Sequence, residues 1–270
     1  MELIFEKYRK AGNSGMFYPS SRVEIDRLIG VFNKNLPLVK GYSYMNKKPR
    51  AVISPHAGYV YSGFTANAAH KALANSKPQC IVVIGPSHHV YFKGVSAAFT
   101  EYYETPQGIL KTATDMLETL HGKFAFVFNK EAHYKEHSTE TQMPFIAHYN
   151  GQARIVELIY GDAGMNLVAE IISEVLRNDN CAVVISSDLS HFHTEATARW
   201  LDAICIKAFE KKDVKMYGEG CEACGITGLK ALTKVASDNG YNTALLDYRT
   251  SADVSNDTGR VVGYMSGLVW

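Results

Sequence analysis

An excess of either charge is nearly absent from this 270-residue chain, where 28 Lys and Arg offset 27 Asp and Glu to leave +1. A nucleic-acid surface needs a basic stripe or patch. The densest basic cluster, Lys47, Lys48 and Arg50, reads as a solvated loop ahead of a strand. Long apolar runs are missing too: no segment approaches the ~18 residues of a membrane span. The opening MELIFEKYRKAG lacks the apolar stretch of a secretion signal. These absences predict no nucleic-acid partner, no membrane partner and a cytoplasmic location. Low-complexity segments, repeats and Gly/Ser linkers are absent as well, so residues 1–270 read as a single domain.

Cysteine is sparse. Cys80, Cys181, Cys205, Cys221 and Cys224 make an odd set, which in a chain without a leader reads as reduced thiols. Cys221 and Cys224 form a C-x-x-C, but no second such pair exists, which argues against a structural zinc. Cys80, Cys181 and Cys205 fall inside strand-like or helix-like stretches and read as buried apolar fillers. Phosphate-loop and dinucleotide fingerprints do not occur. Ser186 and Ser187 lack the glycine-flanked elbow of α/β-hydrolases.

What is present is alternation. Hydrophobic residues make up 46% of the chain, and several short Val/Ile-rich runs read as buried parallel strands. They are 51–54, 80–84, 155–160, 181–185, 243–248 and 261–270. Amphipathic stretches at 65–75, 165–177, 195–211 and 224–238 read as helices between them. Strand–helix alternation predicts an α/β fold with a mainly parallel central sheet and helices on both faces. Residues 95–111, with a turn at Pro106-Gln107-Gly108, read as an appended antiparallel hairpin.

In open α/β sheets, ligands bind beyond the carboxyl ends of the strands. Three strand ends carry histidine within a few residues: Pro55-His56-Ala57-Gly58, Gly85-Pro86-Ser87-His88-His89, and Ser186-Ser187-Asp188-Leu189-Ser190-His191. Ten histidines scattered at random would seldom converge in this way. His56 and His88 read as metal ligands, and His89, diverging from His88, as structural. Asp188 fits either a helix cap or the site, as does His191, while His193 reads as exposed. The segment Glu136 to Gln142 offers His137 and Glu140, with Ser138 as a candidate N-cap. Cys224 sits where a helix begins, a position that favours its thiolate. His70, His121, His133 and His148 have no partner motif and read as structural. Imidazole, thiolate and carboxylate are ligands of iron, copper and zinc.

These pieces, taken in order, resemble the Memo family. The matching stretches are Ala11-Gly12 and Gly15 to Pro19, PHAGYVYSG from Pro55, GPSHH from Gly85 and EHSTETQMPFI from Glu136. They continue with SSDLSHF from Ser186, Cys224-Gly225, and VVGYMSG from Val261. Phe17 stands where the family often has tryptophan. The resemblance implies an α/β fold with a mixed, mainly parallel central sheet and helices on both faces, similar to class III extradiol dioxygenases, which hold non-haem iron(II) through two histidines and a carboxylate. In the family a cysteine takes part. Carried over by motif, the metal ligands are His56, His88 and Cys224, with Cys221 replacing Cys224 if the local frame slips by a helical turn. Asp188, His191, His137 and Glu140 would line the same pocket as proton-moving or ligand-orienting groups. The expected cofactor is a transition metal, iron(II) or copper ahead of zinc. The expected function is that of a metal-dependent oxidoreductase acting on an unknown small molecule. The alternatives are a non-enzymatic adaptor for peptides, as animal members are described, and a metal-dependent hydrolase.

Overall fold

A computed structural model describes residues 4–270; Met1–Leu3 of the expected 1–270 domain lie outside the described residues. The elements run β1 (Glu6–Arg9), α1 (Arg22–Asn35), β2 (Ala51–Ser54), α2 (Tyr59–Leu73), β3 (Cys80–Pro86) and β4 (Val95–Ala97). They continue with β5 (Thr100–Thr105), β6 (Gly108–Lys111), α3 (Thr114–Phe124), α4 (Lys130–Tyr134), α5 (His137–Glu140) and α6 (Met143–Asn150). The remainder is β7 (Arg154–Tyr160), α7 (Met165–Leu176), β8 (Cys181–Ser186), β9 (His191–His193), α8 (Glu195–Lys211), α9 (Ile226–Asp238), β10 (Thr243–Thr250), α10 (Ala252–Ser255) and β11 (Val261–Val269).

The main sheet has the order β10-β11-β2-β8-β3-β7-β4, with β9 paired to β11 off this path. Its centre is parallel: β2 with β8, β8 with β3, and β3 with β7. Its margins are antiparallel, β10–β11–β2 on one side and β4 on the other. Successive side chains of a strand face opposite ways, and the cores follow that alternation. Ala51, Ile53, Val82, Ile84, Val183 and Ile185 pack in one cluster with α7 and α9 residues such as Ile172 and Leu232. Val52, Ile81, Val83 and Val184 pack in a second cluster with Ala69 and Ala72 of α2 and Ile146 of α6. Helices therefore cover both faces, and strands buried on both sides read as continuous Val/Ile runs.

Two sequence readings need correction. The stretch 95–111 is not one hairpin. Its first part, β4, adds to the main sheet against β7. Only β5 and β6 form the hairpin, and β1 joins them in parallel to make a separate three-stranded sheet. The cysteines are not all reduced either: Cys205 of α8 is bonded to Cys221, while Cys80, Cys181 and Cys224 remain thiols. Cys205 is thus a cross-link rather than a filler. Among the described residues, no helix is long and apolar enough to cross a membrane.

Candidate metal centre

Strands β2, β3 and β8 run parallel and in register, so the residues after each emerge at one end of the sheet. There the structure gathers His56 after β2, His88 after β3 and Asp188 after β8. The first turn of α5 brings His137 to the same place. One ligand atom from each of His56, His88 and His137 lies within 4.8 Å of the other two. The rings of His88 and His137 stack at 4.6 Å, and His56 stands edge-on to both at 5.1 and 5.4 Å. Phe17 stacks on the other face of His137 at 4.4 Å.

His56 is 2% exposed, and its backbone N–H donates to Asp188 Oδ1 at 2.7 Å. Its tautomer follows from its neighbours. Ser186 Oγ donates its single proton to the carbonyl of Ser138 at 2.5 Å and accepts from Gln142 Nε2 at 3.0 Å. With that proton committed, the 2.9 Å contact between His56 Nδ1 and Ser186 Oγ makes Nδ1 the donor. The lone pair is then on Nε2, which lies 3.2 Å from Cys224 Sγ.

Burial, and then the neighbouring His88, push His56 well below the ordinary imidazole pKa. Burial, and then His56, bring His137 down to about 4. Neutral imidazoles are the form that ligates metals. Burial, and then Asp188, raise the Cys224 thiol to about 12, so a proton or a cation must accompany the sulfur. Asp188 N–H points at the same sulfur from 3.3 Å. Burial also raises Asp188 itself. A site of lone-pair nitrogens beside a buried thiol suits a transition metal, and the residues present fit one. Next to it lies a cavity of about 600 Å³ lined by His88, His89, Tyr91, Asp162, Cys224 and Thr227 among others.

The remaining expected residues are distributed unevenly. His191 opens β9, half-buried, close enough to act electrostatically on His56 and Asp188. Asp188 serves His56 rather than a helix cap; α8 is capped by Thr194. Glu140 does not face the histidines. It is fully buried and accepts from the backbone of Gly12 and Asn13, from Asn13 Nδ2 and from Tyr18 Oη, while Arg9 pairs with it at 3.0 Å. Its contacts hold the N-terminal segment that carries Phe17. His89 is exposed and His193 pairs with Glu222 at 2.7 Å.

Sequence reasoning assigned no role to Glu136, although it adjoins His137 in the same motif. The structure makes it, not Ser138, the N-cap of α5, and its carboxylate accepts from Ser138 N–H at 2.9 Å. Its other contacts are to His88, by the backbone N–H at 2.6 Å and by Nδ1 at 2.8 Å. A carboxylate one residue before a histidine already read as lining the pocket was the available signal. His70, read as partnerless, is buried against Gln142 at 2.9 Å, one step behind Ser186. His133 is likewise buried, with Ser96 at 2.9 Å.

A family model described as Memo-like protein matches residues 9–268. Similar chains include a MEMO1 family protein of Archaeoglobus fulgidus, 31% identical over 269 residues that span 95% of this chain and 97% of that one. Another, from Thermoplasma volcanium, is 31% identical over 266 residues, covering 96% and 97% of the two chains. A third, from Nitrosopumilus maritimus, is 29% identical over 268 residues, covering 95% and 97%.

Proposed function

The chain belongs to the Memo-like protein family, and from that premise we propose that it is a redox protein whose site binds iron(II) or copper. His56, His88 and His137 would hold the metal, with Cys224 as a further donor. The observation that carries this reading is the convergence of three imidazole ligand atoms within 4.8 Å, beside a thiol at 3.2 Å from one of them. Sulfur and imidazole together favour a soft or borderline metal over magnesium or calcium. Once bound, iron or copper would supply one-electron chemistry to a small molecule in the adjoining cavity. The protein's own part is positional and protic. Asp188 fixes the backbone of His56, and Ser186 fixes its ring. Phe17 covers one face of His137 and narrows the access of water to it. His191, outside the triad, is the imidazole available to give or take a proton.

Purification without oxygen followed by elemental analysis tests this. Iron or copper at about one equivalent per chain is expected, with His56→Ala, His88→Ala and His137→Ala each losing most of it. Protein that emerges without any transition metal overturns the proposal. Zinc as the sole metal, with hydrolytic activity indifferent to oxygen, moves the site to the hydrolase reading, since three histidines also serve zinc.

A further inference from the structure

We infer that Glu136 is a positioning residue that sets the ring orientation and tautomer of His88 and biases the tautomer of His137, a role that rests on the metal-binding reading above. The side chain is 0% exposed, so each of its oxygens must find partners inside the protein. Oε2 accepts the backbone N–H of His88 at 2.6 Å. Oε1 accepts the backbone N–H of Ser138 at 2.9 Å and faces His88 Nδ1 at 2.8 Å. The carboxylate therefore grips His88 twice, by backbone and by ring, and the loop after β3 is tied to the start of α5.

The direction of the ring hydrogen bond is fixed by chemistry. An ionised carboxylate only accepts, so His88 Nδ1 carries the proton, and in the neutral imidazole, the form that ligates a metal, Nε2 carries the lone pair. Each of its oxygens already accepts a backbone N–H, Oε2 from His88 and Oε1 from Ser138, so the group faces the ring as an acceptor. The same oxygen also faces the second histidine. His137 Nδ1 lies 3.4 Å from Glu136 Oε1 and is buried without a hydrogen-bond partner among the described residues. Its ring plane is set by the stack between Phe17 and His88. Negative charge at that edge favours the Nδ1–H tautomer, which again leaves Nε2 as the open lone pair. Glu136 thus does for His88 what Ser186 does for His56, and adds negative charge at the Nδ1 edge of His137. A carboxylate behind a ligating imidazole raises its basicity and holds its orientation.

The isosteric variant Glu136→Gln separates this role from simple filling of space. An amide has one accepting oxygen and one donating nitrogen. If its oxygen takes the Oε1 position, its NH2 meets the His88 backbone N–H, donor against donor. If reversed, its NH2 meets Ser138 N–H and drives the proton of His88 to Nε2. The control is Glu157→Gln. Glu157 is also buried and charge-paired, but its partners are Arg9, His133 and Thr139 rather than the triad.

Two measurements decide. In metal-free protein labelled with 15N-histidine, two-bond 1H–15N correlations should place His88 in the Nδ1–H tautomer in wild type and in Glu157→Gln. In Glu136→Gln that tautomer should be lost or mixed. Anaerobic titration with iron(II) or copper(I) should then show a loss of affinity of roughly 10- to 100-fold in Glu136→Gln and little change in Glu157→Gln. An unchanged His88 tautomer, or affinity within about twofold of wild type, overturns the inference. So does an equal loss of affinity in both variants, which would mark a general effect of disturbing the fold. If wild type takes up neither metal, the metal reading fails, and the tautomer measurement still decides the role of Glu136.

Discussion

Gly225 shows how closely the loop beside the histidines is fitted. A Cβ there would lie 2.6 Å from Ser187 Cβ and Oγ and 2.8 Å from the carbonyl of Ser186. Both neighbours belong to the end of β8, one of them next to the oxygen that orients His56. Gly225 N–H also donates to Ser187 Oγ at 2.9 Å. Gly225→Ala must push the loop away from β8 and carry Cys224 off His56. The expected cost is about 1–3 kcal/mol, typical of forcing extra atoms into a packed interior, read by denaturant unfolding. A weaker metal titration should accompany it. An alanine variant with unchanged stability and unchanged metal uptake would show that Cys224 is not held from this side. At this scale the sequence was informative about residues whose neighbours along the chain are informative. His56, His88 and Asp188 each follow a Val/Ile strand, and that alone marked them. Glu136 precedes and Glu140 ends the same short helix, and the sequence assigned the site role to Glu140 instead of Glu136. One turns to the N-terminal segment and the other to His88, and that difference is made by partners over a hundred and about fifty residues away respectively.

Among the elements, α8 and the loop that follows it are joined by the Cys205–Cys221 bond, at a sequence separation of 16. Closing a loop of that size removes conformational freedom from the unfolded chain, worth roughly 3 kcal/mol in the chain-entropy account. Cys205→Ser combined with Cys221→Ser, or reduction of the wild type, should lower unfolding free energy by about that amount. Equal stability with and without reductant would mean that packing of the two sulfurs carries the contact. The bond also settles which member of the C-x-x-C is available, because Cys221 is already committed and only Cys224 keeps a thiol. Spacing could not reveal this, since Cys205 lies on a different element and its pairing depends on how α8 packs. The strands were legible because burial on both faces leaves one composition: Ala51–Ser54 matches its Val/Ile run to the residue. Helix α8 was equally clear, read over 195–211 and observed as Glu195–Lys211. Helix α1 went unread although Ile25 and Ile29 are fully buried, because Asn, Lys and Arg dilute its apolar stripe. The separate β1-β5-β6 sheet went unread because parallel pairing of β1 with β5 joins residues about ninety positions apart.

For the molecule as a whole, buried neutral histidines impose a dependence on acid. Burial lowers His70 to about 4, with only its bond to Gln142 acting the other way. Burial likewise lowers His137 to about 4 and pushes His56 well below the ordinary imidazole value. In the unfolded chain all three take up a proton near the ordinary imidazole value of ~6.5. The sign follows from linkage: as pH falls below ~6.5 the unfolded state binds more protons than the folded state, so stability is lost until the folded pKa is reached. The effect is fully present above ~6.5 and fades between there and about 4. Glu136, held down to about 2, contributes in a lower window, its stabilisation being lost as pH falls from the usual carboxylate range toward 2. Each buried histidine should therefore add about 1.4 kcal/mol per pH unit to the slope of stability between pH 6 and 4.5. His70 is the member that can be tested apart from the triad, since Gln142 and Ser186 stand between it and His56. His70→Gln should be less stable at pH 7, where the packed imidazole is lost, yet show a slope shallower by about one proton. Urea unfolding at a series of pH values reads both quantities, and an unchanged slope would place the acid sensitivity elsewhere. A metal bound by the triad should steepen the remaining dependence, because protons compete with it for the same nitrogens. Comparing loaded and metal-free protein over that pH range therefore links the stability of the fold to occupancy of the site.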